Sequence, residues 1–101
     1  MVTYKLDGRR LYNREALHEV FAETLDFPPY YGRNLDALYD CLTEIHQDCH
    51  IEIVHWRSAS TALGNYADRL LALLSRICRE NPYIALQISS DEGPENSEEL
   101  I

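Results

Sequence analysis

The chain has 101 residues, of which 46% are hydrophobic and 26% are charged, and its formal net charge at pH 7 is −8. This length predicts one domain, the hydrophobic fraction excludes wholesale disorder, and no apolar run approaches the ~18 residues of a membrane span. Because the first residues, MVTYKLDGRR, contain no apolar signal region and the cysteines number three, we expect a cytoplasmic protein with reduced thiols.

The first half of the chain predicts one strand and two helices. Residues 2–6 alternate as a short strand that ends at an Asp-Gly turn. Asn13 is a suitable N-cap for an amphipathic helix, and we expect Pro28 and Pro29 to stop it. Asn34 is the N-cap of a second helix with an apolar face, which we expect to end near residues 45–47.

The second half predicts two more strands with helices between them. Residues 49–56, CHIEIVHW, are typical of a strand. Residues 57–65 predict one or two helical turns, residues 66–79 a strong helix, and residues 83–89 a third strand. Helical crossovers favour parallel pairing with right-handed connections. The predicted fold class is therefore α/β, a three-stranded parallel sheet packed with three to four helices.

The charge is unevenly distributed. Residues 15–52 contain nine acids and Arg33 as their one base, and residues 91–101 contain five acids and no base. We therefore divide the chain into a domain, residues 1–90, and an acidic tail, residues 91–101, that we expect to be disordered. Acidic surfaces repel nucleic acid and anionic membranes and attract basic proteins.

One face of the second helix has no evident structural purpose. Asp36 and Asp40 are four residues apart, a spacing at which like charges destabilise a helix slightly, and Tyr39 lies beside them outside the apolar stripe. A solvated polar face and a catalytic carboxylate pair are both possible, but the latter needs a cleft that a convex helix face lacks. Tyrosine is enriched in protein interfaces, so a protein partner accounts best for this face.

Other sites of chemistry receive little support from the sequence. The histidines and cysteine of residues 46–55 do not form a closed zinc pattern. Cys41 and Cys78 fall on or near apolar helix faces, where cysteine is usually a small buried hydrophobe. There is no glycine-rich phosphate loop and no nucleophile elbow. We expect no catalytic residue, no metal and no cofactor, and hence no enzyme.

Residues 28–44, PPYYGRNLDALYDCLTE, resemble the signature of the barstar family, intracellular inhibitors of bacterial ribonucleases. The family pattern is Tyr-Tyr-Gly-x-Asn-Leu-Asp-Ala-Leu-Trp-Asp-Cys-Leu-Thr, and this chain departs from its specified residues only at Tyr39, which replaces the tryptophan. The resemblance extends over residues 2–89 and implies the same sheet and helices.

The resemblance also implies a binding surface. In the family, the second helix and the loop before it plug the nuclease active site, with further contacts from the last helix. Arg76 and Arg33 stand where the founding member has acids, which is expected to affect which nuclease fits. The residues carried over as nuclease-binding are Tyr30, Gly32, Asn34, Leu35, Asp36, Tyr39, Asp40, Leu73, Arg76 and Glu80.

The implied partner is one basic ribonuclease, bound 1:1 by an inhibitor that is monomeric when free and contacts neither nucleic acid nor membrane. It would be either a secreted guanyl-specific enzyme or a delivered toxin, against which the chain gives immunity. The alternative is a regulatory module that binds a basic protein other than a nuclease.

Overall fold

The computed structural model describes residues 1–90, and the predicted acidic tail, residues 91–101, lies outside the described residues. The described part contains three strands, four α-helices and one 3₁₀ turn. In chain order they are β1 (Val2–Asp7), the 3₁₀ turn (Gly8–Arg10), α1 (Arg14–Leu25), α2 (Leu35–Thr43), β2 (Cys49–Val54), α3 (Trp56–Leu63), α4 (Asn65–Glu80) and β3 (Ile84–Ile88).

The three strands form one parallel sheet in the order β1-β2-β3. Cys49 of β2 lies opposite Val2 of β1 on one side and Ile84 of β3 on the other. Both connections run through helices, as parallel neighbours require. The α/β fold and the parallel sheet predicted from the sequence are thereby confirmed.

The hydrophobic core lies between the helices and one face of the sheet. Along β2 the side chains of Cys49, Ile51 and Ile53 are buried, and those between them are partly exposed, which is the alternation of a strand with one covered face. Phe21 of α1 and Leu38 of α2 are fully buried in the same core. Each such side chain stabilises the fold by about 1.5–3 kcal/mol relative to exposure.

The end of α1 differs from the predicted mechanism. The helix ends at Leu25 because Asp26 adopts a left-handed conformation with φ of 59°, and the amide of Phe27 then donates to the carbonyl of Ala22 at 3.0 Å. This left-handed cap precedes Pro28. The helix therefore ends before the prolines, through the left-handed cap at Asp26, and the prolines prevent a further helical turn.

The end of β2 also differs from the prediction. His55 has φ of 54°, so the strand ends at Val54, and Trp56, predicted as strand, begins α3. The bend brings the carbonyl of His55 against Gly8, where a Cβ atom would lie only 2.2 Å from that oxygen. Only glycine permits this approach of two backbone segments.

None of the helices within residues 1–90 combines the length and the apolar character that a membrane crossing requires.

Candidate functional site

The loop between α1 and α2 is anchored by one tyrosine and exposes the tyrosine that precedes it. Tyr31 is buried, with its ring 4.8 Å from that of Phe27, whereas Tyr30 is 87% exposed. The amide of Tyr31 donates to the carbonyl of Pro28 at 3.0 Å. The loop therefore presents the Tyr30 ring to solvent from a fixed base.

A buried histidine joins this loop to α4. His18 of α1 is 2% exposed, and its Nδ1 and Nε2 lie 2.6 Å and 2.8 Å from the hydroxyls of Tyr31 and Tyr66. Burial, with a smaller effect from the Arg33 cation, lowers the pKa of His18. Burial likewise raises the pKa of Tyr31. The neutral imidazole can donate to one hydroxyl and accept from the other, which satisfies both ring nitrogens.

Arg33 is turned back toward α1. It has φ of 59°, and its Nη1 lies 2.5 Å from Oε1 of Glu19. Both side chains are about half exposed, so the pair adds little to stability. The Glu19 carboxylate offsets the charge of Arg33, which is the one base among residues 15–52.

Asn34 and Leu35, two of the predicted nuclease-binding residues, also have structural roles. The Oδ1 atom of Asn34 accepts from the amide of Ala37 at 2.7 Å, which is the predicted N-cap of α2. Its Nδ2 donates to the carbonyl of Gly32 at 3.4 Å. Leu35 is half-buried and packs against the core. Both residues fix the position at which α2 begins.

A first cavity, of about 290 Å³, lies between the loop and α2. It brings together Tyr30, Gly32 and Asp40, all predicted from the sequence, and adds Cys41 and Glu44, which were not. Glu44 follows Asp40 by four residues, so helical spacing could have placed it on this face. Burial raises the pKa of the Cys41 thiol, as do the Glu44 and Asp40 carboxylates, which leaves it a poor nucleophile.

A second cavity, of about 260 Å³, lies between α2 and α4. Asp36 and Tyr39 line it from α2, and Leu73 and Arg76 line it from α4. The sequence separates these pairs by more than thirty residues, and the contact between the two helices unites them. Seven of the ten predicted residues thus line one of two cavities along α2, whereas Asn34, Leu35 and Glu80 line neither.

Tyr39, Arg76 and Glu80 form a bonded triad at the edge of the second cavity. The Tyr39 hydroxyl donates to Oε1 of Glu80, Arg76 Nε donates to Oε2 at 2.9 Å, and the guanidinium carbon of Arg76 lies 4.7 Å from the centre of the Tyr39 ring. Hydrogen bonds from Tyr39 and Arg76 lower the pKa of Glu80. The interpretation of Tyr39 as an aromatic without structural partners was therefore wrong, since it also packs half-buried against the core.

The acids of α2 differ from four acids elsewhere in the domain that form ion pairs. Asp7, Glu19, Glu23 and Glu80 each form an ion pair with an arginine. Within residues 1–90, the carboxylates of Asp36 and Asp40 are exposed and have neither a hydrogen bond nor an ion pair. The two lie in different cavities, Asp36 in the second and Asp40 in the first. The arrangement can accept cations or hydrogen-bond donors from outside the chain.

Metal ligands do not cluster in the part of the chain that the structure describes, where no group of three or more His, Cys, Asp or Glu side chains could hold an ion. Cys49 is buried in the core, and Nδ1 of His46 lies 2.6 Å from the backbone carbonyl of Glu44.

Comparison with known proteins agrees with this geometry. A family model described as "Barstar (barnase inhibitor)" matches residues 1–92. The chain belongs to the barstar family. It is also 42% identical over 76 residues to a Bacillus subtilis protein named "Putative ribonuclease inhibitor YrdF", and the match covers 74% of this chain and 84% of that protein. The barstar resemblance inferred from residues 28–44 is confirmed.

Proposed function

We propose that this barstar-family protein is an intracellular inhibitor of a bacterial ribonuclease, and that it blocks the enzyme's active site with α2 and the loop before it. The observation that carries the proposal is the pair of exposed, unpaired carboxylates on α2, Asp36 and Asp40, each in a cavity beside an aromatic side chain. The family description and the relative's name, which both contain the word inhibitor, support the same role.

The mechanism follows from the chemistry of RNA. A ribonuclease holds phosphate groups with arginine, lysine and histidine side chains, so its active site is a basic cleft. A carboxylate inserted there replaces phosphate oxygens through charge-assisted hydrogen bonds, which are bidentate to arginine where the geometry allows. Inhibition then consists of occupying the cleft, and it needs neither a cofactor nor turnover by this chain.

The individual residues have distinct proposed roles. Asp40, in the first cavity, is the central anchor, and Asp36 binds a second cation from the other side of α2. Tyr30, which is almost fully exposed, covers an imidazole or another flat group of the enzyme. Gly32, which has no side chain, lets the enzyme approach closely beside Tyr30. Asn34 and Leu35 hold the start of α2 in place.

The association is 1:1 because α2 offers one such surface per chain, and the partner is basic because the surface is acidic. Residues 15–52 have nine acids and one base, and Arg33 is paired with Glu19. A field of this sign accelerates encounter with a basic enzyme in a salt-dependent way. In the cytoplasm such an inhibitor gives immunity to a ribonuclease that is secreted or delivered as a toxin.

The test is titration of a panel of bacterial ribonucleases, including barnase, with wild-type protein, Asp40→Ala and Asp48→Ala. Asp48 is an exposed acid in the connection from α2 to β2, outside both cavities, so its replacement changes the net charge equally. We expect stoichiometric inhibition of at least one enzyme by wild type, and a loss of at least tenfold in affinity, about 1.4 kcal/mol, for Asp40→Ala alone.

The proposal fails if no enzyme in the panel is inhibited at micromolar concentration. The anchor assignment fails separately if Asp40→Ala and Asp48→Ala inhibit equally well. Capture of a basic protein without nuclease activity from the source cells would favour the regulatory module instead.

A further inference from the structure

The second cavity has walls of opposite charge. Asp36 on α2 contributes an unpaired carboxylate, and Arg76 on α4 contributes a guanidinium on a side chain that is 58% exposed. The floor between them is apolar and includes Leu73. An acidic side chain and a basic side chain of a partner could therefore enter the same cavity at different walls.

The triad holds Arg76 in place. Its Nε is bonded to Glu80, and its guanidinium carbon lies over the Tyr39 ring, 4.7 Å from the ring centre. This cation–π contact and the hydrogen bond at Nε restrict a side chain that is otherwise rich in rotamers. A cation fixed in this way cannot readily swing aside when a like charge approaches, so it discriminates between partners.

The triad also engages Glu80. Each of its carboxylate oxygens accepts one hydrogen bond, one from the Tyr39 hydroxyl and one from Nε of Arg76. The terminal nitrogens of Arg76 have no hydrogen-bond partner within the described domain, residues 1–90. At the α4 end, therefore, the surface offers an unused cationic donor, whereas α2 offers unused carboxylates.

We infer that Arg76 is a specificity-determining residue, and that the nuclease bound here places an aspartate or glutamate against it while its cations face Asp36 and Asp40. This assignment rests on the proposed function and adds a charge pattern for the partner. A carboxylate of the enzyme accepts two parallel hydrogen bonds from the terminal nitrogens of Arg76. A lysine or arginine at the same place is repelled, which excludes nucleases with a uniformly basic rim.

The experiment is a charge scan of barnase against three inhibitors: wild type, Arg76→Glu and Arg57→Glu. Arg57 is exposed on α3 and lines neither cavity, so its variant has the same change in net charge. Each exposed charged residue around the barnase active site is reversed in turn, and dissociation constants are measured for every pair. Thermal unfolding of each inhibitor, with Arg76→Ala as a milder variant, checks that the fold persists.

We expect one barnase position at which a carboxylate favours binding of wild type over Arg76→Glu, and a cation favours binding of Arg76→Glu over wild type. The ratio of the two inhibitors' dissociation constants should change at least tenfold between these two barnase variants. Arg57→Glu should show no such coupling. The inference is overturned if no position couples to Arg76 by more than threefold, or if Arg57→Glu couples equally. Where wild type inhibits another ribonuclease of the panel and not barnase, the same scan is made on that enzyme. If the scan of an inhibited enzyme shows no coupling, only the Arg76 assignment is lost; if wild type inhibits no enzyme of the panel, both proposals are lost.

Discussion

The side-chain amide of Asn81, directly after α4, donates to the carbonyl oxygen of Leu42 in the last turn of α2 at 2.9 Å. The same nitrogen lies 3.0 Å from the carbonyl of Ile45, and Asn81 is 6% exposed. The last carbonyls of a helix have no partner within it. A residue 39 positions away therefore completes the end of the helix that presents Asp36 and Asp40.

Replacing Asn81 should destabilise the domain. Asn81→Ala removes the side-chain donor to the carbonyls of Leu42 and Ile45 and the acceptor of the Tyr83 amide. The expected loss is about 1–3 kcal/mol in the free energy of unfolding, measured by urea denaturation. Asn65, at the exposed start of α4, supplies the control, since Asn65→Ala should change stability by only about 0.5 kcal/mol. Equal effects of the two variants would show that the bonds of Asn81 to α2 add nothing.

Gly8 should tolerate no side chain. The methyl group of Gly8→Ala would lie 2.2 Å from the His55 carbonyl oxygen, a backbone atom that cannot move alone. Overpacking of this kind costs about 1–3 kcal/mol or more. Gly32→Ala is the matched comparison, because its methyl group meets the Ala37 Cβ at 3.2 Å. We expect the urea midpoint to fall much further for Gly8→Ala, and the reverse order would contradict the described contact between the 3₁₀ turn and β2.

The stability of the domain should fall as the pH decreases below about 7. Burial lowers the pKa of His18 in the folded state from its ordinary value of 6.5, so in this range the unfolded chain binds a proton that the native protein does not. Stability is therefore complete above pH 6.5 and declines until the pH reaches the lowered native pKa. Urea titrations between pH 7.5 and 5 measure this slope, above the range in which the lowered carboxyl pKa values of Asp7 and Glu80 matter.

The control for this slope is a second histidine. His18→Gln should lose the pH dependence between 7.5 and 5 that wild type shows, whereas His46→Gln, at an exposed position, should retain it. A slope that survives in His18→Gln would assign the titration to another group.

Glu44 should contribute to binding although the family pattern ends at Thr43. It lines the first cavity with Asp40, and a charge at the edge of an interface acts mainly on the association rate. With a ribonuclease that the panel shows to be inhibited, Glu44→Gln should slow association about two- to tenfold at low salt, and less at high salt. Glu52→Gln changes the charge equally on β2 and should leave the rate almost unchanged; similar rates for both variants would exclude Glu44 from the interface.

The sequence predicted the elements better than their ends. Apolar periodicity and the caps at Asn13 and Asn34 placed α1 and α2 correctly, because these signals are local. The positive φ angles of Asp26 and His55 were not predicted, because aspartate and histidine adopt this conformation only occasionally. The helix α2 ends at Thr43, before the predicted residues 45–47, because the amides of Glu44 and Ile45 bond to the carbonyls of Cys41 and Leu42, three residues back.

The residues of the candidate site also divide into those that the sequence predicted and those that only the structure brings together. The resemblance named Asp36, Tyr39 and Asp40 from one continuous stretch, and the structure exposes both carboxylates on α2. The triad of Tyr39, Arg76 and Glu80 could not be read from the chain, because it joins residues 41 positions apart. Glu44 was missed for a different reason: its helical spacing was visible, but only the fold shows that a cavity ends beside it.

The bond from Asn81 to α2 also sets when the proposed inhibitor can work during its own synthesis. A nascent chain that has reached residue 45 contains the whole family signature, but it lacks the α4 wall of the second cavity and the donor for the end of α2. At translation rates of about 5–20 residues per second, the remaining residues of the domain need roughly 2–9 s. A partly made chain offers no assembled surface, so under the proposed function inhibition requires a pool of finished protein that is present before the ribonuclease arrives.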